Sequence, residues 1–462
     1  MVIASAPINC ASSDRVELAV QERHNSCELA KKCVSSCEAY GRVCPCVARS
    51  ASASAVDAVK QLSKDSNIFT DESSPQQINR DALTIEEKLG SGGFSEVYKA
   101  QVNGRTVAIK YLKRQVMVEK RAFEHGAADL AVEAHFLAVL SHKNIVEIHG
   151  MPEGSIEANI KSGKERGFFI LIDHLHSTLE QKITEWKAEV DKTQKKKLLR
   201  MSPEVKSKRR LALSDRLKHA LDIVDALEYL HGRRIIYRDL KPDNIGFDEA
   251  GVLKLFDFGL ARELKDGMKL ENGTYKLTGN TGSRRYMSPE VAREIGYDMS
   301  VDVYSFGVLL WELSALEKPF YGYTAGKHMR QVVLGGERPP LNTPNTSWWP
   351  MNLQWLLKKC WSNEPENRPS WEAVKRTLQD IVKGSSAVPL DLMHASLKVP
   401  AGGSLSPLKA PSLEKPSGGF GSMKPPSKSH RSSTTAQGNT RKFSLGRWRR
   451  SSTGTNEKKD WD

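Results

Sequence analysis

The stretch Y-R-D-L-K-P-D-N at residues 237–244 and the stretch L-F-D-F-G at residues 255–259 are the most informative part of this sequence. The first contains Asp239, and the second contains Asp257, which stands 18 positions later. At this spacing a short hairpin can bring both carboxylates to one cleft, where one accepts a proton and the other holds a metal ion. Either stretch alone would be a weak signal, but the pair in this order and at this distance is specific.

A glycine-rich stretch, G-S-G-G-F-S-E-V, occupies residues 90–97 between two alternating runs that predict a β-hairpin. Gly90 and Gly92 allow the backbone to lie close over phosphate oxygens with its N–H groups facing the anion. Ser95 takes the place of a third glycine, so we expect a stiffer loop. The next strand-like run, V-A-I-K, ends at Lys110, which therefore projects from a strand rather than from a loop.

These stretches, with three others further along the chain, resemble the motifs of the eukaryotic protein kinases. The others are T-G-S-R-R-Y-M-S-P-E at residues 281–290, D-V-Y-S-F-G at 302–307 and E-N-R-P-S at 366–370. The resemblance covers residues 83–382 and implies the α+β, bilobal protein kinase fold. In that fold a small N-lobe with an antiparallel sheet and a larger, mostly helical C-lobe hold the nucleotide between them.

The resemblance implies a role for each matched residue in transferring the γ-phosphate of ATP to a hydroxyl. Asp239 would orient that hydroxyl and accept its proton, and Lys241 would contact the transferring phosphate. Asn244 and Asp257 would hold Mg²⁺, and Lys110 would bind the α- and β-phosphates. The expected nucleotide-binding residues lie on the glycine-rich hairpin, the next strand and the hinge: Gly90, Ser91, Gly92, Gly93, Phe94, Ser95, Val97, Ala108, Lys110, Ile172, Asp173 and Leu175.

Two further pairings follow from the same resemblance. Apolar residues at helical spacing over residues 129–140 predict a helix that carries Glu133, the implied partner of Lys110. Glu124 remains an alternative partner, and Glu133 could instead be a solvated acid on the helix face. In the C-lobe, the resemblance implies a buried pair of Glu290 with Arg368.

Tyr237 stands where most members of the family have histidine. Because tyrosine keeps an aromatic ring behind the metal-binding loop, we expect activity to be retained. The alternative, a catalytically dead scaffold, is disfavoured because all four residues that carry the chemistry are present: Lys110, Asp239, Asn244 and Asp257. Asp302 is expected to brace the catalytic loop from below.

The substrate class is predicted from the residues around the catalytic aspartate. K-P-D-N after Asp239 resembles the serine/threonine branch, in which the lysine reaches the phosphate. Ser283 stands where that branch keeps a hydroxyl that bonds the catalytic aspartate and lysine. Residues 281–290 and 361–370 look most like the tyrosine-kinase-like group. We therefore expect a serine/threonine protein kinase of intracellular signal transduction, with protein substrates.

Arg238, directly before the catalytic aspartate, predicts a switch in the activation segment, which covers residues 257–290. A phosphate on Thr278 or Thr281 would supply it with charge-assisted hydrogen bonds, with Arg284 and Arg285 as further partners. The alternative is a segment already held by contacts with Asp or Glu.

Positive charge is concentrated in two regions of this chain of 462 residues, which has a formal net charge of +14. Residues 187–213 carry ten Lys and Arg against three Asp and Glu, and residues 383–462 carry fourteen against five. We interpret the first as an exposed inserted loop and the second as a disordered tail rich in Ser, Pro and Gly. An acidic partner or a nuclear import receptor could bind them, although simple solvation is the alternative; no specific nucleic acid is predicted.

The first 80 residues read as a Cys/Ser/Ala-rich leader, mostly disordered, with a short helix over residues 16–40. Six of the seven cysteines lie within its first 46 residues, without the paired spacing of structural zinc sites. Metal binding, lipidation, redox activity and no special role all stay open. The cysteine usage indicates a reducing compartment, and no signal or membrane-spanning pattern is present. We expect a cytoplasmic or nuclear location; the oligomeric state is not predicted.

Overall fold

A computed structural model describes residues 43–64, 66, 68, 69, 75–195 and 203–384. The helix predicted over residues 16–40 and nearly all of the basic tail lie outside these ranges. None of the described helices is both long enough and apolar enough to cross a membrane.

The N-lobe is built on a six-stranded sheet in the order β1-β5-β6-β4-β3-β2. Its pairings are antiparallel except that β1 runs parallel to β5. The strands are β1 (Gln77–Ile78), β2 (Leu83–Ser91), β3 (Ser95–Val102), β4 (Arg105–Leu112), β5 (Ile148–Pro152) and β6 (Phe169–Asp173). Strands β2 and β3 form the hairpin predicted around the glycine-rich stretch.

Four helices flank this sheet. They are α1 (Pro45–Ser63), α2 (Arg114–Val118), α3 (Lys120–Val139) and α4 (Ile156–Lys161). At the start of α3, the carboxylate of Glu119 accepts hydrogen bonds from the backbone N–H groups of Arg121 and Ala122. This cap satisfies donors that lack an intrahelical partner and fixes where α3 begins.

The C-lobe is mostly helical and surrounds α8, in which residues 301–314 are all buried. Its helices are α5 (Leu179–Lys195), α6 (Pro203–Gly232), α7 (Pro289–Ala292), α8 (Ser300–Ala315), α9 (Ala325–His328), α10 (Met351–Cys360) and α11 (Trp371–Val382). Two small sheets accompany these helices, a three-stranded one in the order β10-β9-β7 and a two-stranded one of β11 and β8. Their strands are β7 (Ser177–Thr178), β8 (Ile235–Ile236), β9 (Ile245–Phe247), β10 (Leu253–Leu255) and β11 (Arg262–Glu263). The predicted α+β, bilobal architecture is confirmed.

The basic insertion differs from its prediction. Instead of an exposed loop over residues 187–213, α5 continues to Lys195 and α6 begins at Pro203. Lysine, arginine and leucine are good helix formers, and proline suits a first helical turn. The charged residues therefore extend the end of α5 and the start of α6. Arg209 also packs its guanidinium over the ring of Trp348, 4.4 Å from the centroid.

The expectation of a mostly disordered leader does not hold for residues 45–63. These residues form α1, which packs against α3 and α4. Ala48, Ala51 and Ala55 are buried there at helical spacing, and their small side chains let the helices approach closely. A proline at the first helical position and the run of alanine and serine are the sequence signals for this helix.

Candidate active site

A hairpin of β9 and β10 joins the two halves of the predicted catalytic stretch. The strands pair antiparallel, with Ile245 opposite Leu255. Below this pairing, the backbone N–H of Phe256 donates to the carbonyl oxygen of Asn244 at 3.0 Å. The hairpin therefore holds Asp257 beside the loop that carries Asp239, as the spacing predicted.

Lys110 lies at the centre of the cleft between two carboxylates. It projects from β4 opposite Val97, and its Nζ lies 2.5 Å from Oε2 of Glu133 and 3.1 Å from Oδ1 of Asp257. Glu124, the alternative partner, instead accepts a hydrogen bond from the hydroxyl of Ser50. The structure thus places Glu133, and not Glu124, beside Lys110.

Lys110 and Asp257 stabilise each other's charge, whereas burial raises the pKa of Glu133 to about 7 despite the neighbouring ammonium of Lys110. Burial opposes the charged form of Lys110, but the carboxylates of Asp257 and Glu133 outweigh it and raise the lysine pKa. The ammonium of Lys110 in turn lowers the pKa of Asp257. Lys110 is therefore a permanent cation and Asp257 a permanent anion near neutral pH.

Asp239 is held by three different groups. Its Oδ2 accepts a hydrogen bond from Nδ2 of Asn244 at 2.9 Å and lies 3.1 Å from Nζ of Lys241. Its Oδ1 accepts from the backbone N–H of Ser283 at 2.8 Å. Lys241 also donates to the Ser283 hydroxyl at 3.0 Å, so the predicted contact of this serine with both residues is present.

Gly282 makes the contact between Asp239 and the activation segment possible, and sequence reasoning missed it. Its φ is +92°, and a Cβ there would collide with the carbonyl oxygen of Arg238. Only glycine combines this left-handed backbone with such a close approach. The signal in the sequence was a glycine directly before Ser283.

Asp302 braces the catalytic loop as predicted. Its carboxylate accepts hydrogen bonds from the backbone N–H groups of Tyr237 at 2.8 Å and Arg238 at 2.9 Å, and Nε2 of His231 lies at 2.9 Å. The ring of Tyr237 packs edge-on against Phe258 with centroids 5.2 Å apart. The Tyr237 side chain is therefore a packing element, and its buried hydroxyl donates to the carbonyl oxygen of Phe256.

The oxygen donors of the cleft fit a magnesium ion. Nδ2 of Asn244 donates to both the carbonyl oxygen and Oδ2 of Asp239, which turns the Asn244 Oδ1 away from them. With the carboxylate of Asp257, this amide oxygen provides the hard ligands that Mg²⁺ prefers.

The surface expected to face the nucleotide is assembled by strand register. Ala108 and Lys110 lie two residues apart on β4, and so their side chains share one face of the sheet. Ala108 pairs with Ile172 of β6, and Val97 pairs with Lys110. Four of the expected residues are thereby placed together.

The glycine-rich turn is tight, with the N–H of Gly92 donating to the carbonyl oxygen of Ser95 at 2.9 Å. Gly90, before Ser91, and Gly93, two residues after it, have open space where a side chain would be. Phe94 lies against Gly126 of α3, which gives its ring a packing role.

The hinge is anchored through the side chain of Asp173, ahead of Leu175. Its carboxylate lies 2.8 Å from Nε2 of His149 and 3.0 Å from Nζ of Lys254, and it accepts from the N–H of Glu147 at 3.1 Å. Although burial opposes the charge, these hydrogen bonds lower the pKa of Asp173 to about 2. His149 lies in β5 of the N-lobe, and Lys254 lies in β10 of the C-lobe. The Asp173 carboxylate therefore holds the connection between the two lobes in place.

The predicted pair of Glu290 and Arg368 is buried and bidentate, with N–O distances of 2.5 and 3.0 Å. Arg285, expected as a phosphate partner, is used elsewhere, because it donates to the carbonyl oxygen of Pro319 at 3.0 Å.

Arg238 is buried and donates to neutral oxygens: the hydroxyls of Thr278 and Tyr297, each at 3.0 Å, and the carbonyl of Leu260 at 2.7 Å. Burial and the charge of Arg238 lower the pKa of Arg262 to about 10. Arg262 is thus a neighbouring cation that sequence reasoning missed.

Comparison with known proteins agrees with this geometry. Residues 83–378 match the protein kinase domain family. The chain is 31% identical over 318 residues to the serine/threonine/tyrosine-protein kinase HT1 of Arabidopsis thaliana, covering 68% of this chain and 70% of that protein. It is 29% identical to the serine/threonine-protein kinase STY17 of the same plant, covering 68% of this chain and 47% of that protein.

The dual specificity protein kinase shkB of Dictyostelium discoideum is 28% identical, over 69% of this chain and 44% of that protein. The chain thus spans less than half the length of two of these relatives. Members of this family use ATP and Mg²⁺ and act on proteins. The chain belongs to the protein kinase family, and within it is most like the tyrosine-kinase-like group of serine/threonine kinases.

Proposed function

We propose that this protein transfers the γ-phosphate of ATP to serine and threonine hydroxyls of protein substrates in intracellular signalling. One observation carries the proposal: Lys110 is paired with Glu133 and Asp257 while Asp239 is aligned by Asn244 and Ser283. A protein that had lost phosphoryl transfer would not need to keep both the contacts around Lys110 and the contacts around Asp239.

The residues of the cleft divide the work of the reaction. Asp239 accepts the proton of the attacking hydroxyl, because its carboxylate is fixed on the loop that faces the substrate segment. Lys241, 3.1 Å from that carboxylate, places positive charge where the transferring phosphate arrives. Lys110 binds the α- and β-phosphates, and its pairing with Glu133 fixes where its charge lies.

Asn244 and Asp257 are the residues that would hold magnesium. When bound, the ion neutralises charge on phosphate oxygens and so favours transfer. On the nucleotide side, the backbone of Asp173 and Leu175 would bond the adenine, and Ile172 would border the deeper pocket. The glycine-rich turn from Gly90 to Ser95 would cover the phosphates.

The serine/threonine preference rests on Lys241 and Ser283. A hydrogen bond of 3.0 Å joins Lys241 to the hydroxyl of Ser283, next to Asp239. The names of the relatives include serine/threonine, serine/threonine/tyrosine and dual specificity kinases, so residue type is the part of the proposal that most needs a test.

Location and non-substrate partners are further proposals. The cysteine usage and basic tail favour the cytoplasm or nucleus, and the basic residues 187–213 and 383–462 are candidates for an acidic partner or import receptor.

Phosphoamino-acid analysis tests the proposed function. Purified full-length protein would be incubated with labelled ATP, Mg²⁺ and a degenerate peptide library, with Lys110→Met as the inactive control. We expect phosphoserine and phosphothreonine only in the wild-type reaction. Predominant phosphotyrosine would overturn the substrate class, and no transfer despite ATP binding would favour a scaffold.

A further inference from the structure

Helix α1 lies along the length of α3. Near its start, the Ser50 hydroxyl donates a hydrogen bond to the carboxylate of Glu124. At its end, the Ser63 hydroxyl lies 3.2 Å from Nε2 of His135. These contacts advance in the same direction along both helices. The two helices are therefore parallel neighbours over about 20 Å, at a rise of about 1.5 Å per residue.

The face of α3 that contacts α1 is opposite to the face that carries Glu133. At about 100° per residue, His135 is displaced from Glu124 by only about 20° around the helix axis, whereas Glu133 is displaced by about 180°. The carboxylate of Glu133 points into the cleft, 2.5 Å from Nζ of Lys110. A helix packed behind α3 therefore limits how far Glu133 can move away from the lysine.

The seam between the helices is closely packed. Ala51 and Ala55 are 0% exposed in it. Phe69, just beyond α1, packs edge-on against Phe136 of α3 with ring centroids 5.1 Å apart. The Ser52 hydroxyl donates to the carbonyl oxygen of Glu157 at 3.0 Å, which links α1 to α4 as well. The apolar contacts and the hydrogen bonds together fix the position of α1 on this lobe.

The end of α1 also contacts the segment that follows the metal-binding loop. The ammonium of Lys265 donates to the carbonyl oxygens of Gln61 at 2.9 Å and Leu62 at 2.6 Å. A cation is favourable there, because the last carbonyls of a helix lack intrahelical partners. The Ser66 hydroxyl donates to Oε2 of Glu263 in β11 at 2.6 Å, and β11 pairs with β8 just before the catalytic loop.

We propose that residues 43–64, together with Ser66 and Phe69, are a positioning element for phosphoryl transfer, which holds Glu133 against Lys110 and ties that pair to the activation segment. One segment contacts α3 on its outer face and the start of the activation segment through Lys265. When it is docked, both elements are kept in the arrangement that the reaction needs; when it is released, α3 is free to withdraw Glu133. The inference rests on the proposed kinase activity.

The test compares two glutamate substitutions on opposite faces of α1 in the full-length protein. Ala55→Glu places a charge in the buried seam, whereas Ala53→Glu places the same charge on the exposed face of the same helix. We expect Ala55→Glu to lower kcat by about tenfold or more, because the arrangement with Glu133 beside Lys110 would become a minor population. The KM for ATP should change less. Hydrogen exchange over residues 120–139 should rise only in that variant.

Lys265 provides a second arm in case the seam variant fails to fold. Lys265→Gln should lower kcat, and Lys265→Arg should restore it, because a cation at the helix end suffices. Equal kcat and equal exchange for Ala55→Glu and Ala53→Glu would overturn the inference, as would Lys265→Gln with wild-type kcat. The proposed function fails separately, if the wild-type protein itself transfers no phosphate.

Discussion

The cleft around Lys110 and the seam between α1 and α3 stabilise the same lobe with different forces. In the cleft, Lys110 is held by charge-assisted hydrogen bonds with Glu133 and Asp257. In the seam, buried alanines and the hydroxyl groups of Ser50 and Ser63 hold α1 and α3 side by side. A single change in the cleft removes a charge from the reaction, whereas a single change in the seam alters only the position of that charge. The cleft therefore supplies the groups that react, and the seam determines what fraction of the molecules holds those groups in the reactive arrangement.

The largest effects should come from removing charges in the cleft. Lys110→Met and Asp257→Ala each remove a group aimed at the transition state, which typically costs about 3–4 kcal/mol, or a few hundred-fold in kcat. Asn244→Ala should cost less, because phosphate oxygens can hold part of the magnesium ion. Steady-state kinetics with a fixed peptide substrate measure these ratios. Near-wild-type turnover in Lys110→Met would show that the reaction does not depend on the charges of the cleft more than on the contacts of the seam.

The buried pair below the cleft should govern stability. Glu290→Ala leaves Arg368 buried without its carboxylate, so we expect a loss of about 3 kcal/mol in the free energy of unfolding. Arg368 keeps hydrogen bonds to the carbonyl oxygens of Ser300 and Ser362, which limits the loss. Urea unfolding measures it.

The matched control for that variant is an exposed pair on α5. Glu185→Ala removes the partner of Lys182, 2.9 Å away and largely solvated, and should change stability by less than about 1 kcal/mol. Equal losses for Glu290→Ala and Glu185→Ala would show that the buried pair has no special role.

The sequence predicted the cleft because its parts come from short stretches in which residue type and spacing reflect chemistry. Asp239 and Asn244 lie within one loop, and β9 and β10 are a local hairpin that delivers Asp257. The seam could not be predicted in this way, because Ala51 and Ala55 carry no chemistry and their partners lie more than 60 residues away on α3. The charged composition of residues 187–213 suggested a loop, although lysine and arginine also favour helices.

A smaller effect is expected in the activation segment. The Thr278 hydroxyl already accepts a hydrogen bond from Arg238 at 3.0 Å, and Arg262 provides a second cation nearby. A phosphate on Thr278 would form charge-assisted hydrogen bonds of about 1.5–3 kcal/mol, so phosphatase treatment should lower activity by about tenfold. Mass spectrometry would first locate the phosphate. Unchanged activity after dephosphorylation, and in the double variant Thr278→Ala/Thr281→Ala, would contradict a switch.

A pH-dependent effect on stability is expected from a buried acid that no motif indicated. Burial raises the pKa of Glu312 to about 8, although the hydroxyl of Tyr286 donates a hydrogen bond to it. The native state therefore retains a proton that the unfolded state releases above its ordinary pKa, so this contribution to stability is lost as the pH rises towards 8. The slope should be on the order of 1 kcal/mol per pH unit.

The variant Glu312→Gln should lack this dependence between pH 5 and 8, the interval between the ordinary and raised pKa values. Thermal or urea unfolding at several pH values would give both curves. Parallel curves for wild type and variant would show that Glu312 does not keep its proton in the folded protein.

A single-turnover assay of Asp239→Asn tests most directly whether this cleft transfers phosphate with Asp239 as the proton acceptor. Asparagine keeps the size of the side chain and an oxygen for the N–H of Ser283, but it is not a base. With ATP binding matched to wild type, we expect a rate lower by at least a few hundred-fold. Transfer by Asp239→Asn at the wild-type rate would contradict it.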